Sequence, residues 1–173
     1  MAADPTLTQD VAGAGRGVSR GTTVTGWIAA PPGEVFALIT DVDRLPEWNT
    51  VVRKVLERPA RMAVGAEWVV RIRPPKFPSW PSRSTCLELD PEHGVFAHRS
   101  RSDDGNPSWA DWRWELGEED GGTRIAVSYA LNPRSWWRTV LFSRLRNSQL
   151  GNTEIRDSIA ALGRALGATT RSN

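Results

Sequence analysis

Apolar residues recur at two different periods along this chain, and the switches between them divide it into elements. Residues 22–29 (TTVTGWIA) alternate and are rich in β-branched side chains, the pattern of a half-buried strand. Pro31 and Pro32 forbid further ladder pairing, and proline suits the first turn of a helix. Val35, Phe36, Leu38 and Ile39 then fall at helical spacing, with Glu34 near the positive end of the helix dipole. Asp41 or Asp43 is placed to cap a second short helix whose Leu45 and Trp48 point inward.

Period two returns in residues 51–58, 65–73, 82–90, 94–101, 109–117 and 123–131. In residues 65–73, Trp68, Val70 and Ile72 share one face, and Glu67, Arg71 and Arg73 share the other. The connections carry turn chemistry at residues 91–94, 103–105 and 120–122. They are short, so successive strands should be antiparallel neighbours. Pro74, Pro75, Pro78 and Pro81 mark a stiff loop around Trp80, expected to lie outside a strand centre.

After Pro133 the helical period takes over and holds to Leu166. Ile155, Ile159, Leu162 and Leu166 form one stripe, which runs back through Asn152, Ser148, Leu145, Leu141 and Trp137. One long helix is expected, with Ser148 and Asn152 as a polar interruption of its apolar face. Residues 1–20 hold Gly13, Gly15 and Gly17 and little to bury, so they read as a flexible tail. The expected organisation is a single domain over residues 21–167 and a C-terminal tail over residues 168–173. The class is α+β: a curved antiparallel sheet of six to seven strands wrapped around a long C-terminal helix, with two short helices after the first strand. Such a sheet cannot close completely on one helix, so a cavity should remain between them.

Composition narrows this picture little. The chain has 173 residues, 39% hydrophobic and 24% charged, ordinary for a globular domain. Net charge is only +2, which does not point to nucleic acid, and only Lys54 and Lys76 among the 22 basic residues are lysine. Cys86 is the single cysteine, compatible with a reducing compartment. The first ten residues lack the apolar run of a signal peptide, and nothing approaches the ~18 apolar residues of a spanning helix. A cytoplasmic protein is expected. The unusual figure is nine tryptophans against one tyrosine and four phenylalanines. That many indoles imply rigid walls around a ligand or a heavily aromatic core.

The segment Ala30-Pro-Pro-Gly-Glu-Val-Phe-Ala-Leu-Ile-Thr-Asp-Val-Asp-Arg-Leu-Pro-Glu-Trp48 resembles the opening signature of the START-like, helix-grip superfamily called SRPBCC. Its polyketide cyclase/dehydrase branch is the best match. Trp112-Arg-Trp-Glu-Leu116 followed by Gly122-Thr-Arg-Ile125 resembles that branch's penultimate hairpin. The order of elements agrees from residue 22 to residue 166. The resemblance implies a helix-grip fold and a pocket for a hydrophobic small molecule such as a lipid, polyketide or sterol. Some members are enzymes, and the signature is nearly silent about chemistry.

Candidate ligand-binding residues are Trp48, Trp68, His98, Trp112, Trp114, Tyr129, Ser148 and Asn152. Trp112 and Trp114 share a strand face with Leu116, whereas Trp109 has the opposite parity. Trp48 either closes the mouth of the pocket or packs the helix turn. Ser148 and Asn152 would need water, ligand or protein to satisfy them on a buried stripe. As catalytic candidates, His98 alternates with Phe96, Tyr129 with Val127, and Arg83 with Leu87 and Leu89. The first two could act as general acid or hydrogen-bond donor, and Arg83 could pair with an enolate or carboxylate if it entered the cavity. Each also has a purely structural reading. His93 and His98 lack metal-ligand spacing, and Cys86 lacks a histidine in motif context, so neither a metal nor a cofactor is expected. The segment around Trp136 and Trp137 is apolar on nearly all sides. It reads as a buried helix start or as a surface that touches a membrane or a protein partner. A hydrophobic small molecule is the expected partner, nucleic acid is not, and the chain should be a monomer or homodimer.

Overall fold

A computed structural model describes residues 22–134 and 153–172. Strand β1 (Thr22–Ile28) leads through Ala29 and Ala30 into helix α1 (Pro32–Thr40). The Asp41 carboxylate accepts the Asp43 amide at 3.0 Å and so caps a 3₁₀ turn (Val42–Arg44), which runs into the short helix α2 (Leu45–Trp48). Six strands follow: β2 (Val52–Glu57), β3 (Glu67–Ile72), β4 (Trp80–Asp90), β5 (Val95–Ser102), β6 (Trp109–Glu119) and β7 (Gly122–Asn132). Helix α3 (Ile155–Ala165) and a short strand β8 (Thr170–Ser172) complete the described chain.

The strands form one antiparallel sheet in the order β2-β3-β4-β5-β6-β7-β1-β8. Every neighbour from β2 to β7 is also next in sequence, the meander that the short turns require. The Asp120–Gly121 turn has positive φ at both residues (50° and 72°), the geometry of a two-residue hairpin. Gly94, at φ 68° in the β4–β5 turn, lies so close to β6 that a Cβ there would be 2.5 Å from the Leu116 carbonyl oxygen.

Helix α3 lies on the concave side, and its Ile155, Ile159 and Leu162 are buried as the stripe requires. Gly26 of β1 lets it approach, since a Cβ at that position would meet Ile159 Cγ2 at 3.0 Å. Ser158 is polar and buried on the same helix. Its hydroxyl lies 3.2 Å from Thr50 Oγ1 and accepts the Thr50 amide at 3.3 Å, tying α3 to the end of α2.

Three expectations change. Residues 170–172, expected as tail, pair with Gly26–Ile28 as an eighth strand. Trp80 and Pro81, expected in a loop, begin β4 and pair with Ile72 and Arg71. Third, β4 carries a bulge between Cys86 and Glu88 that shifts its register against β5. The bulge resets the alternation, so Cys86 is buried, Leu87 is exposed and Leu89 returns to the core. Arg83 therefore does not share a face with Leu89. The expected tail at 1–20, Ser148, Asn152 and the Trp136-Trp137 segment lie outside the described residues.

Candidate functional site

The register places side chains of the concave face in rows across the sheet. One row runs Val70, Ser82, Ser102, and the next runs Trp68, Ser84, Ser100, Ala110, Leu131. Next come Cys86, His98, Trp112 and Tyr129, and beyond the bulge Leu89, Phe96, Trp114 and Val127. A pocket of about 210 Å³ opens over these rows. Its walls include Trp48, Trp68, Phe96, Trp112 and Trp114, with Ile39 and Leu45 from the first two helices and Glu154 from the start of α3.

The aromatic walls are in ring contact. Trp48 meets Trp114 edge-on, with centroids 5.4 Å apart and planes at 84°. His98 is stacked between Phe96 (5.3 Å) and Trp112 (6.1 Å), and Trp68 tilts over it at 5.5 Å. Trp112 donates its indole N–H to Ser100 Oγ at 2.9 Å, which fixes the ring against the wall.

Among the described residues two buried polar atoms have no hydrogen-bond partner: Trp48 Nε1 and His98 Nδ1. His98 is only half-buried as a residue, and the part left open borders the pocket. Burial among aromatic rings pushes its pKa down to about 4, against a weaker opposing pull from the Asp111 carboxylate. At neutral pH it is an uncharged imidazole, able to donate one hydrogen bond and accept another. Cys86 faces it across the β4–β5 ladder, but burial raises the thiol pKa, so it is not an activated nucleophile.

The candidates from sequence separate clearly in space. Trp48, Trp68, His98, Trp112 and Trp114 border the pocket together. Tyr129 is buried and tilted against Trp112 at 5.7 Å, behind the pocket-lining residues. Arg83 is on the convex face. It binds Asp103 at 2.8 Å, Glu57 at 3.0 Å and Glu67 at 3.6 Å, and Asp103, then Glu57, hold its pKa above the usual arginine value. Separate ion pairs on the surface join Arg99 to Asp111 and Arg113 to Glu88 and Glu115. His93 sits in the β4–β5 turn against Asp90 at 2.8 Å, far from any shared site with His98. Trp109 keeps the outward parity expected of it, bonds Asp111 at 3.1 Å, and still reaches the rim of the pocket.

Sequence reading missed Ser82, Ser84, Ser100, Ser102 and Glu154 on the pocket wall. The signal for the serines was present. Ser82-x-Ser84 and Ser100-x-Ser102 place small hydroxyls at period two on strands joined by one hairpin. No comparable signal marks Glu154, whose position depends on where α3 begins.

A curved antiparallel sheet, two short helices after its first strand, a C-terminal helix on the concave face and a pocket between them define a START-like, helix-grip protein of the SRPBCC superfamily. The profile of the polyketide cyclase / dehydrase and lipid transport family matches residues 20–165, and the chain belongs to that family. No curated protein sequence matches it. Among solved structures, Ara h 8.0201 is similar at 15% identity and TM-score 0.65, covering 87% of this chain and 99% of its own. Protein CV1439 from Chromobacterium violaceum is similar at 22% identity and TM-score 0.63, covering 84% and 95%. The di-domain ARO/CYC StfQ from the steffimycin biosynthetic pathway is similar at 11% identity and TM-score 0.62, covering 85% of this chain and 51% of its own. At these identities the likeness is one of fold. Family membership supports a role in hydrophobic-ligand binding or polyketide-cyclase-type chemistry.

Proposed function

We propose that the protein binds a lipid- or polyketide-like small molecule in the pocket between its sheet and C-terminal helix. The observation that carries this reading is the pocket itself: about 210 Å³, with six tryptophans and a phenylalanine among the described residues that line it. A core built only for stability would close such a space, because voids cost packing energy. The volume lies below the ~300–1,000 Å³ of drug-sized sites, which favours a compact ligand. Ala110 lines the space, and a phenylalanine there would fill part of it. A binding screen of fatty acids, sterols and small aromatic ketones and phenols should yield a ligand for the natural chain. The Ala110→Phe variant should lose at least about tenfold in affinity, about 1.4 kcal/mol, with its circular dichroism spectrum unchanged. Equal binding by both chains would place the ligand elsewhere and defeat the proposal.

A second reading, a cyclase/aromatase or dehydratase, is favoured by one feature. His98 offers an uncharged imidazole on the pocket wall, able to pass a proton to or from a bound carbonyl compound. On this reading His98→Asn abolishes turnover of a bound poly-ketone substrate while binding persists. Turnover that survives the substitution removes His98 from the chemistry. Cytoplasmic location and a monomeric or homodimeric state remain part of the proposal, as does membrane contact through Trp136 and Trp137. Among the described residues no helix is long and apolar enough to cross a membrane.

A further inference from the structure

Four serines form a square on the pocket wall. Ser82 faces Ser102 across the β4–β5 ladder, and Ser84 faces Ser100 one step along. Opposite residues in a ladder stand ~5 Å apart, and successive residues on one face ~7 Å apart. The square therefore presents hydroxyls at two levels, with His98 at the next level towards the aromatic base.

The hydroxyls are not all used by the protein. Ser82 donates to the Arg101 carbonyl at 3.3 Å. Ser100 accepts the Trp112 indole N–H, which leaves its own O–H free to donate. Ser84 is 4% exposed, lines the pocket, and its hydroxyl makes no hydrogen bond among the described residues. Because Ser84 lines the pocket, its hydroxyl can pair with a ligand that enters there.

We propose that this serine square is the polar subsite of the pocket, selecting an uncharged aromatic ligand with a hydroxyl or carbonyl group over a carboxylate. The inference rests on the pocket being a ligand site. Flat rings suit the space between Trp68, Trp112 and Trp114, where offset or edge contacts are available. An oxygen substituent then meets Ser84 and Ser100, which can each donate or accept. Among the described residues a carboxylate meets no cation on the concave face. His98 stays neutral at pH 7. Arg101 also borders the pocket, but its side chain has the outward parity of Arg83, its ladder partner, and is exposed. Against the described wall a ligand anion would exchange its hydration for neutral hydroxyls.

Equilibrium dialysis of the full chain at pH 7 against naphthalene, 2-naphthol and 2-naphthoate tests this with three probes of one shape. The expected order is 2-naphthol tighter than naphthalene by about five- to tenfold, the worth of one or two neutral hydrogen bonds, with 2-naphthoate weakest. In Ser84→Ala the advantage of 2-naphthol should fall below about threefold while naphthalene binds as before. Ser128→Ala, on the convex face where Ser128 pairs with Thr23 at 2.8 Å, should change neither value. Equal binding of naphthalene and 2-naphthol to the natural chain overturns the serine subsite and leaves the pocket reading standing. So does tightest binding of 2-naphthoate, or an equal loss for both neutral probes in Ser84→Ala. Failure of both neutral probes to bind removes the pocket reading and the subsite together.

Discussion

His98 concentrates the electrostatic consequences of the pocket in one side chain. Its pKa of about 4 in the folded chain lies below the ~6.5 of an unfolded histidine. Between those values the unfolded chain binds more protons, so stability falls as pH drops from about 6.5 towards 4. Above 6.5 the imidazole is neutral in both states and has no effect. Urea unfolding at pH 7 and pH 4.5 should show natural protein losing about 2 kcal/mol more than His98→Gln. The comparison cancels the carboxylates, such as Asp90 and Asp103, whose pKa values are also lowered. An equal loss in both chains would mean that the ring is hydrated in the folded state. Trp48 poses a related question, since its indole N–H is buried without an acceptor among the described residues. Trp48→Ala should cost about 3–5 kcal/mol in the same assay, because Trp48 packs against Trp114 inside the core. A loss below about 1 kcal/mol would show that the ring is not packed as described.

Elements were the most legible scale. Period-two alternation located β1 to β7 because each buries one face, and the 3.6 period located α1 and α3 for the same reason. What escaped depended on long-range pairing. Strand β8 has three residues and no pattern of its own. It exists because α3 and Gly167, at φ 65°, return the chain to the free edge of β1. Pro81 is tolerated in β4 although proline normally marks a break, and it lies at the strand's second residue. The Cys86–Glu88 bulge left no mark in the sequence, so the parity of Arg83 relative to Leu89 could not be read. Two predictions belong here. Gly26→Ala should push α3 off β1 and destabilise the fold by about 1–3 kcal/mol, read as a lower urea midpoint. An unchanged midpoint would mean that Ile159 moves aside freely. Arg83→Met should cost about 1 kcal/mol at low salt, less at 1 M salt, and leave ligand affinity unchanged. Loss of binding would contradict its position on the convex face.

At the scale of the whole molecule, fold and function differ in how far the sequence reaches. Ala30 to Trp48 specifies a local helix pair with strong chemistry, namely two prolines, an Asp cap and an apolar face, so it identifies the architecture. The pocket is assembled from side chains scattered between Ile39 and Glu154, and only the register brings them together. Individual tryptophans stood out because they are large and rare. The serines did not, because small polar residues on a strand are ordinarily solvent-facing. Their meaning depends on which face of β4 and β5 is concave. Ligand binding should also feed back on stability, with a gain of about 2.7 kcal/mol at a free concentration of 100 Kd.

The central claim is that the ligand sits among the pocket's indoles, and those indoles can report on it directly. Nitrogen-15-labelled protein gives one N–H resonance per tryptophan, assigned by single Trp→Phe substitutions. On titration with 2-naphthol or a ligand from the screen, Trp48, Trp68, Trp112 and Trp114 should shift together and saturate at one concentration. Trp27 lies away from the pocket, under the Arg171 guanidinium at 4.0 Å and bonded to the Glu119 carbonyl, and should stay in place. A saturable titration in which Trp27 moves with the others, or in which Trp48, Trp68, Trp112 and Trp114 do not move, would contradict a ligand in this pocket.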